Sequence, residues 1–222
     1  ACTYAGEEGL LNIEREVKLS GPIHDKGVLI LHSYLSALFA HLAPLAMNAA
    51  VVFEQEYSGV EGDSASCAEF YALLSSLSGM PLKQGIAVTG AVNQHGELLP
   101  VGGINEKIEG FFRSCENLGL DGHQGVLMPR RNCRHLMLDA RVVEAVAAGR
   151  FHIHVADTAA EGMVLLTGVK FGTLGVGGYE ADSVLGRAQK TLQRFRHACE
   201  HLGNKPTLKP NHLRHLKHSV LR

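Results

Sequence analysis

The sequence predicts a mixed α+β protein, and three observations carry that prediction. Short apolar runs of four to eight residues, the length of a strand, alternate with longer stretches whose apolar residues recur at helical spacing. The connections between them are short and marked by Gly, Pro, Asn and Ser. No run is apolar for the roughly 18 residues that a membrane span requires. At 222 residues with a formal net charge of −1, the chain is long enough to bury a substantial core and lacks the basic excess of a nucleic-acid binder.

From the N-terminus, Leu10 to Leu19 alternates apolar and charged positions and reads as a half-buried strand with an irregularity near Arg15. Ser20-Gly21-Pro22 turns the chain. Val28 to Leu42 carries Leu31, Leu35, Leu38, Phe39 and Leu42 as one face of a helix that stops before Pro44. Ala49 to Phe53 reads as a strand, and Ala65 to Leu77 as a helix through Ala68, Ala72, Leu73 and Leu77. Gly85 to Val92 is a strand that turns at Asn93–Gly96 into Leu98-Leu99 as a hairpin. Ile104 to Leu118 is a helix with Ile104, Ile108, Phe111, Phe112 and Cys115 inward. A strand is predicted at Gly125–Met128, one or two helices over Leu136–Leu138 and Val142–Ala147, a strand at Phe151–Val155 and a helix at Ala159–Leu166.

The composition shifts after Gly168, so the chain divides into a domain over 1–168 and an extension over 169–222. In the extension Gly172, Gly175, Gly177 and Gly178 read as a flexible joint. A helix follows over Ser183–Leu202, then a basic, His-rich tail from Lys205 to Arg222. The chain opens without Met and without the basic start and apolar core of a signal peptide, which reads as a piece of a longer cytosolic protein.

The five cysteines are scattered and form no C-x-x-C pair, so reduced thiols are expected rather than a zinc ribbon. Cys67 reads as a buried thiol on a helix face. Thirteen histidines raise the question of a metal: His152 and His154 share a strand face, and His212, His215 and His218 form a helical stripe. Neither set is completed by Cys or carboxylate at ligand spacing, so no catalytic metal is expected.

Two stretches could carry chemistry. Ser64 in VEGDSAS lies where a loop enters a helix, so it is either a helix cap or a nucleophile beside unpaired backbone N–H groups. Lys107 in LPVGGINEKIEG lies early in a helix, flanked by Ile104 and Phe111. A lysine there is either a solvated surface residue or one whose stem lies beside the core, with a lowered pKa. A neutral amine can remove a serine proton, so the two residues could make a nucleophile and base.

VEGDSAS around Ser64, VTGAV around Thr89 and LPVGGINEKIEG around Lys107 resemble the signature segments of the Lon protease proteolytic domain, in its LonB-like branch. NIEREVKLSGPIHDKGVLIL and HQGVLMPRRN are similar as well, so the resemblance spans Asn12 to Gly168. It implies Ser64 as nucleophile, Lys107 as general base and Thr89 as the hydrogen-bond acceptor that aims the amine. Glu61 and Asp63, next to Ser64, either pair with Lys107 in a resting form or simply favour the helix start, and Ser66 reads as an ordinary helix residue rather than a rival to Ser64. The family's domain usually has a further segment ahead of the NIERE stretch, so a missing first strand is expected.

The implied activity is a serine endopeptidase acting on unfolded or damaged polypeptides within a hexameric ring. The alternative is a catalytically silent assembly scaffold of the same fold. No G-x-x-x-x-G-K-[ST] phosphate loop occurs, so ATP and Mg are expected only in an ATPase module elsewhere.

Overall fold

The computed structural model describes residues 1–203; the basic tail with His212, His215 and His218 lies outside them. A strand β1 (Cys2–Ala5) precedes β2 (Gly9–Asn12). The alternating stretch at 10–19 is not one strand. It breaks at Asn12, whose side chain accepts the Arg15 N–H and caps a single helical turn, α1 (Ile13–Glu16). Lys18 then takes a positive φ of 61°, which ends the turn and leaves Val17 exposed.

Helix α2 (Pro22–Leu38) begins six residues earlier than the apolar stripe indicated, because Pro22 is well suited to a first helical turn that needs no N–H. It is followed by a 3₁₀ turn at Ala40–Leu42 and by β3 (Met47–Val51). Strand β3 is central to a mixed sheet, antiparallel to β1 and parallel to β2. Helix α3 (Ser66–Ser78) ends at Gly79 in the left-handed conformation.

The predicted strand over 85–92 is two strands. Residues Ile86–Val88 form β4, and after a break at Thr89-Gly90 residues Ala91–Val92 form β5, which pairs with β6 (Leu98–Leu99) as the expected hairpin. Helix α4 (Ile104–Leu118) has the predicted bounds. It leads to β7 (Gly125–Pro129), fully buried as the middle of a parallel sheet in the order β4-β7-β8, with β8 at His152–Ala156. Leu136–Leu138 is not helical: a 3₁₀ segment covers Arg130–His135, and α5 (Ala140–Ala147) starts only at the cap Asp139.

Helix α6 is Ala159–Thr167. The glycine-rich joint forms a small hairpin of β9 (Leu174–Gly175) and β10 (Gly178–Tyr179). Its backbone is held where the Gln189 side chain accepts the Tyr179 N–H. Helix α7 (Val184–Gly203) closes the described chain.

Two apolar clusters sandwich the parallel sheet. On one face Ile104, Ile108, Phe112 and Cys115 of α4 pack with Val126, Met128, Val142 and Phe151. On the other, Leu127 meets α3 and α6, and the same cluster extends through α2 to Val184, Leu185, Ala188 and Leu192 of α7. Helix α3 is therefore enclosed on several sides, which fixes the turn at its N-terminus. No helix among the described residues is long and apolar enough to cross a membrane.

Candidate active site

Ser64 occupies the turn ahead of α3. Its carbonyl accepts the Gly90 N–H at 2.8 Å, and the Cys67 N–H donates to the Gly90 carbonyl at 3.1 Å. These two bonds tie the Ser64 turn to the break between β4 and β5. The close approach requires a glycine: a Cβ at position 90 would lie 3.0 Å from Cys67 Sγ and 3.3 Å from Pro129 Cγ. Sequence reasoning missed this clamp, although the T-G interruption of an apolar strand was its available sign.

Lys107 approaches from α4. Gly103, with φ 64°, turns the chain into the helix and its carbonyl accepts the Lys107 N–H. The start of α4 is anchored by Asn132, fully buried, whose Oδ1 accepts the Val101 N–H at 3.0 Å while its Nδ2 donates to the Val101 carbonyl at 2.8 Å. A buried amide thus pairs with backbone as a strand would. Asn132 was another residue that the sequence did not single out.

The result is a short triangle. Lys107 Nζ lies 2.8 Å from Ser64 Oγ and 3.2 Å from Thr89 Oγ1, and the Thr89 hydroxyl donates to the Ser64 carbonyl at 3.4 Å. Of the two readings of the lysine stem, on the stripe or beside it, the second holds: Ile104, Ile108, Phe112 and Cys115 fill the buried face of α4, and Lys107 is exposed as a whole. Only its amine end enters the cleft. That partial burial still lowers its pKa from the usual lysine value, and the Asp63 carboxylate partly offsets the effect.

The other candidates are placed less centrally. Neither Glu61 nor Asp63 forms an ion pair with Lys107 among the described residues, and Glu61 accepts the N–H of Gly62. Ser66 is buried, and its Oγ is engaged in accepting the Val92 N–H at 3.0 Å. Cys67 is buried, and burial pushes its thiol pKa up, so it holds no thiolate. The Ser66 N–H bonds the Asp63 carbonyl, and the Cys67 N–H is already spent on Gly90, so an oxyanion would be met by N–H groups at or before Ala65.

A cleft of about 320 Å³ opens beside the triangle, lined by Ala65, Ala87, Val88 and Val126 together with Ser64, Thr89 and Lys107. On β8, His152 and His154 stack with ring centres 5.7 Å apart. No group of three or more His, Cys, Asp or Glu side chains among the described residues is arranged to hold a metal ion.

Residues 58–163, which span the cleft and both sides of the triangle, match the family model described as the Lon protease (S16) C-terminal proteolytic domain. The chain belongs to the Lon proteolytic-domain family. Its curated relatives agree. A "Putative Lon protease homolog" of Escherichia coli (strain K12) is 44% identical over 163 residues, covering 73% of this chain and 28% of that protein. A protein of the same name from Haemophilus influenzae is 41% identical, covering 73% of this chain and 27% of its own length. An "Archaeal Lon protease" of Archaeoglobus fulgidus is 38% identical over 94 residues, 42% of this chain and 14% of the relative. This Lon domain thus spans less than a third of the proteins it resembles.

Proposed function

We propose that this Lon domain is a serine endopeptidase working through a Ser64–Lys107 dyad aimed by Thr89. The observation that carries the reading is the 2.8 Å separation of Lys107 Nζ and Ser64 Oγ, combined with an amine whose pKa is lowered by partial burial. A base within hydrogen-bond reach, and easier than usual to deprotonate, is what activation of a serine hydroxyl requires.

In the reaction, neutral Lys107 takes the Ser64 proton as Oγ forms a bond to the peptide carbonyl carbon. The negative charge on the carbonyl oxygen meets backbone N–H groups of the nucleophile turn. Lys107 then passes its proton to the leaving nitrogen as the C–N bond breaks, leaving an acyl ester on Ser64. Water, deprotonated by the same amine, attacks the ester and frees the new carboxylate, and the proton returns to Ser64. Thr89 Oγ1 holds the amine on the line to Ser64 by accepting one of its N–H bonds.

The substrates on this reading are unfolded or damaged polypeptides in the cytoplasm. Longer relatives bearing the Lon name support a setting in which the domain is the cutting part of a larger assembly. There it would work as a homo-oligomeric ring fed by an ATPase module that carries the ATP and Mg chemistry. A peptide boronate or fluorophosphonate should modify Ser64, as read by mass spectrometry of the labelled peptide. Full peptidase activity in a pure Ser64→Ala preparation would overturn the assignment.

A further inference from the structure

Outside the cleft, Glu69 is the polar residue with the most to explain. It lies on α3 downstream of Ser64, is 4% exposed, and neither carboxylate oxygen has a hydrogen-bond partner among the described residues. His24 of α2 and Glu14 of α1 are buried near it, and Asn12 at the end of β2 is buried against His24. His24 Nε2 lies 3.5 Å from Glu69 Oε1, and Glu14 Oε2 also lacks a partner.

The hydrogen-bond directions decide which of these groups holds a proton. Asn12 Oδ1 accepts the Arg15 N–H at 2.9 Å, so the amide nitrogen of Asn12 must be the atom 3.2 Å from His24 Nε2. An amide nitrogen only donates. His24 Nε2 is therefore an acceptor, and the neutral ring carries its hydrogen on Nδ1. That lone pair is already taken by the Asn12 N–H, so His24 offers Glu69 Oε1 no donor at 3.5 Å. A bare carboxylate there would meet only an electron-rich ring nitrogen, whereas a carboxyl group is neutral. Burial, and behind it the charge of Glu14, act the same way, pushing Glu69 up to about 7.

Glu14 keeps the opposite role. Its Oε1 accepts the Phe53 N–H at 2.6 Å, and the Phe53 ring meets the His24 ring edge-on at 5.9 Å. Phe53 is where the chain leaves β3 for the loop that delivers Ser64.

We propose that Glu69 is a positioning residue that works in its protonated form. Its carboxyl proton removes the charge and lets α3 close on α1 and α2 without two bare carboxylates meeting in the core. Glu14 is then free to hold Phe53 and with it the base of the nucleophile loop. Loss of the proton puts a charged Glu69 against Glu14 and against the His24 ring nitrogen, and loosens that grip. The titratable groups facing Glu69 are Glu14 from α1 and His24 from α2; on its own helix, Cys67 feels its charge. The catalytic part of this inference rests on the peptidase reading above, while the location of the proton does not.

The test separates the two. In the ¹⁵N-labelled 222-residue chain carrying Ser64→Ala, the Phe53 amide resonance should titrate with an inflection near pH 7. Addition of Glu69→Gln, which stays neutral at all pH values, should abolish the inflection. A Phe53 amide that is flat between about pH 5 and 9, or an unchanged inflection in the Glu69→Gln chain, would overturn the proposal. In peptide hydrolysis, Glu69→Ala should lower kcat about tenfold with KM unchanged, and Glu69→Gln should keep most of it. An unaltered kcat in Glu69→Ala would also overturn it. A wild-type chain that cleaves no peptide would remove the nucleophile assignment, while the Phe53 titration would still decide where the proton sits.

Discussion

Lys107 Nζ meets Ser64 Oγ at 2.8 Å although the two lie 43 positions apart in the sequence. The distance is set from both ends: Gly90 holds the Ser64 turn, and Asn132 holds the start of the helix that presents the amine.

Lysine is an unusual base, and its lowered pKa makes a signed prediction. The reactive form is the neutral amine, whose share grows as pH rises through the lowered pKa. The kcat/KM for a short peptide, followed over about pH 6 to 9, should therefore rise with pH and reach its plateau at lower pH than an ordinary lysine would allow. A flat profile over that range would count against the dyad. Lys107→Arg should be inactive at every pH, because a guanidinium does not deprotonate.

The Asp63 carboxylate raises the Lys107 pKa against the effect of burial. Removing that charge with Asp63→Asn should move the rising limb of the profile to lower pH. The midpoint of the limb is the measurement, and a shift to higher pH would contradict the assigned sign.

Thr89→Val keeps shape but removes the acceptor 3.2 Å from the amine and the donor to the Ser64 carbonyl. Peptide hydrolysis should fall by about 10- to 100-fold in kcat with little change in KM, since the lost contact aims the base rather than binding substrate.

Asn132→Leu should destabilise the chain and, by loosening the start of α4, weaken the presentation of the Lys107 amine. It strands the N–H and carbonyl of Val101 beneath α4, a cost of about 2–5 kcal/mol for the pair. Thermal or urea unfolding reads this directly. Gly90→Ala should cost about 1–3 kcal/mol for a different reason, the contact of its Cβ with Cys67 Sγ and the Pro129 ring.

How far the sequence could be read depended on whether the signal was local. Helix α4 was legible to its ends because its apolar positions repeat at the helical period and Gly103 and Gly119 bracket it. The segment 10–19 was misread because alternation of apolar and charged residues fits a strand as well as the Asn12-capped turn that forms there. In α2 the proline at its start was taken as a turn signal, although a first helical turn accommodates it equally well. The burial of Glu14, His24 and Glu69 had no sequence sign, since isolated charged residues ordinarily face water.

The sequence by itself determined the mixed α+β class, most of the element types and the family, because periodicity, turn residues and motif spacing are all properties of short stretches. Only the tertiary structure decided that the strand at 86–92 breaks at Thr89-Gly90, that the lysine stem lies outside the core stripe, and that hydroxyl, amine and threonine converge. That convergence depends on the order of a parallel sheet and on buried backbone pairings between segments far apart in the chain, and no local stretch of residues carries that information.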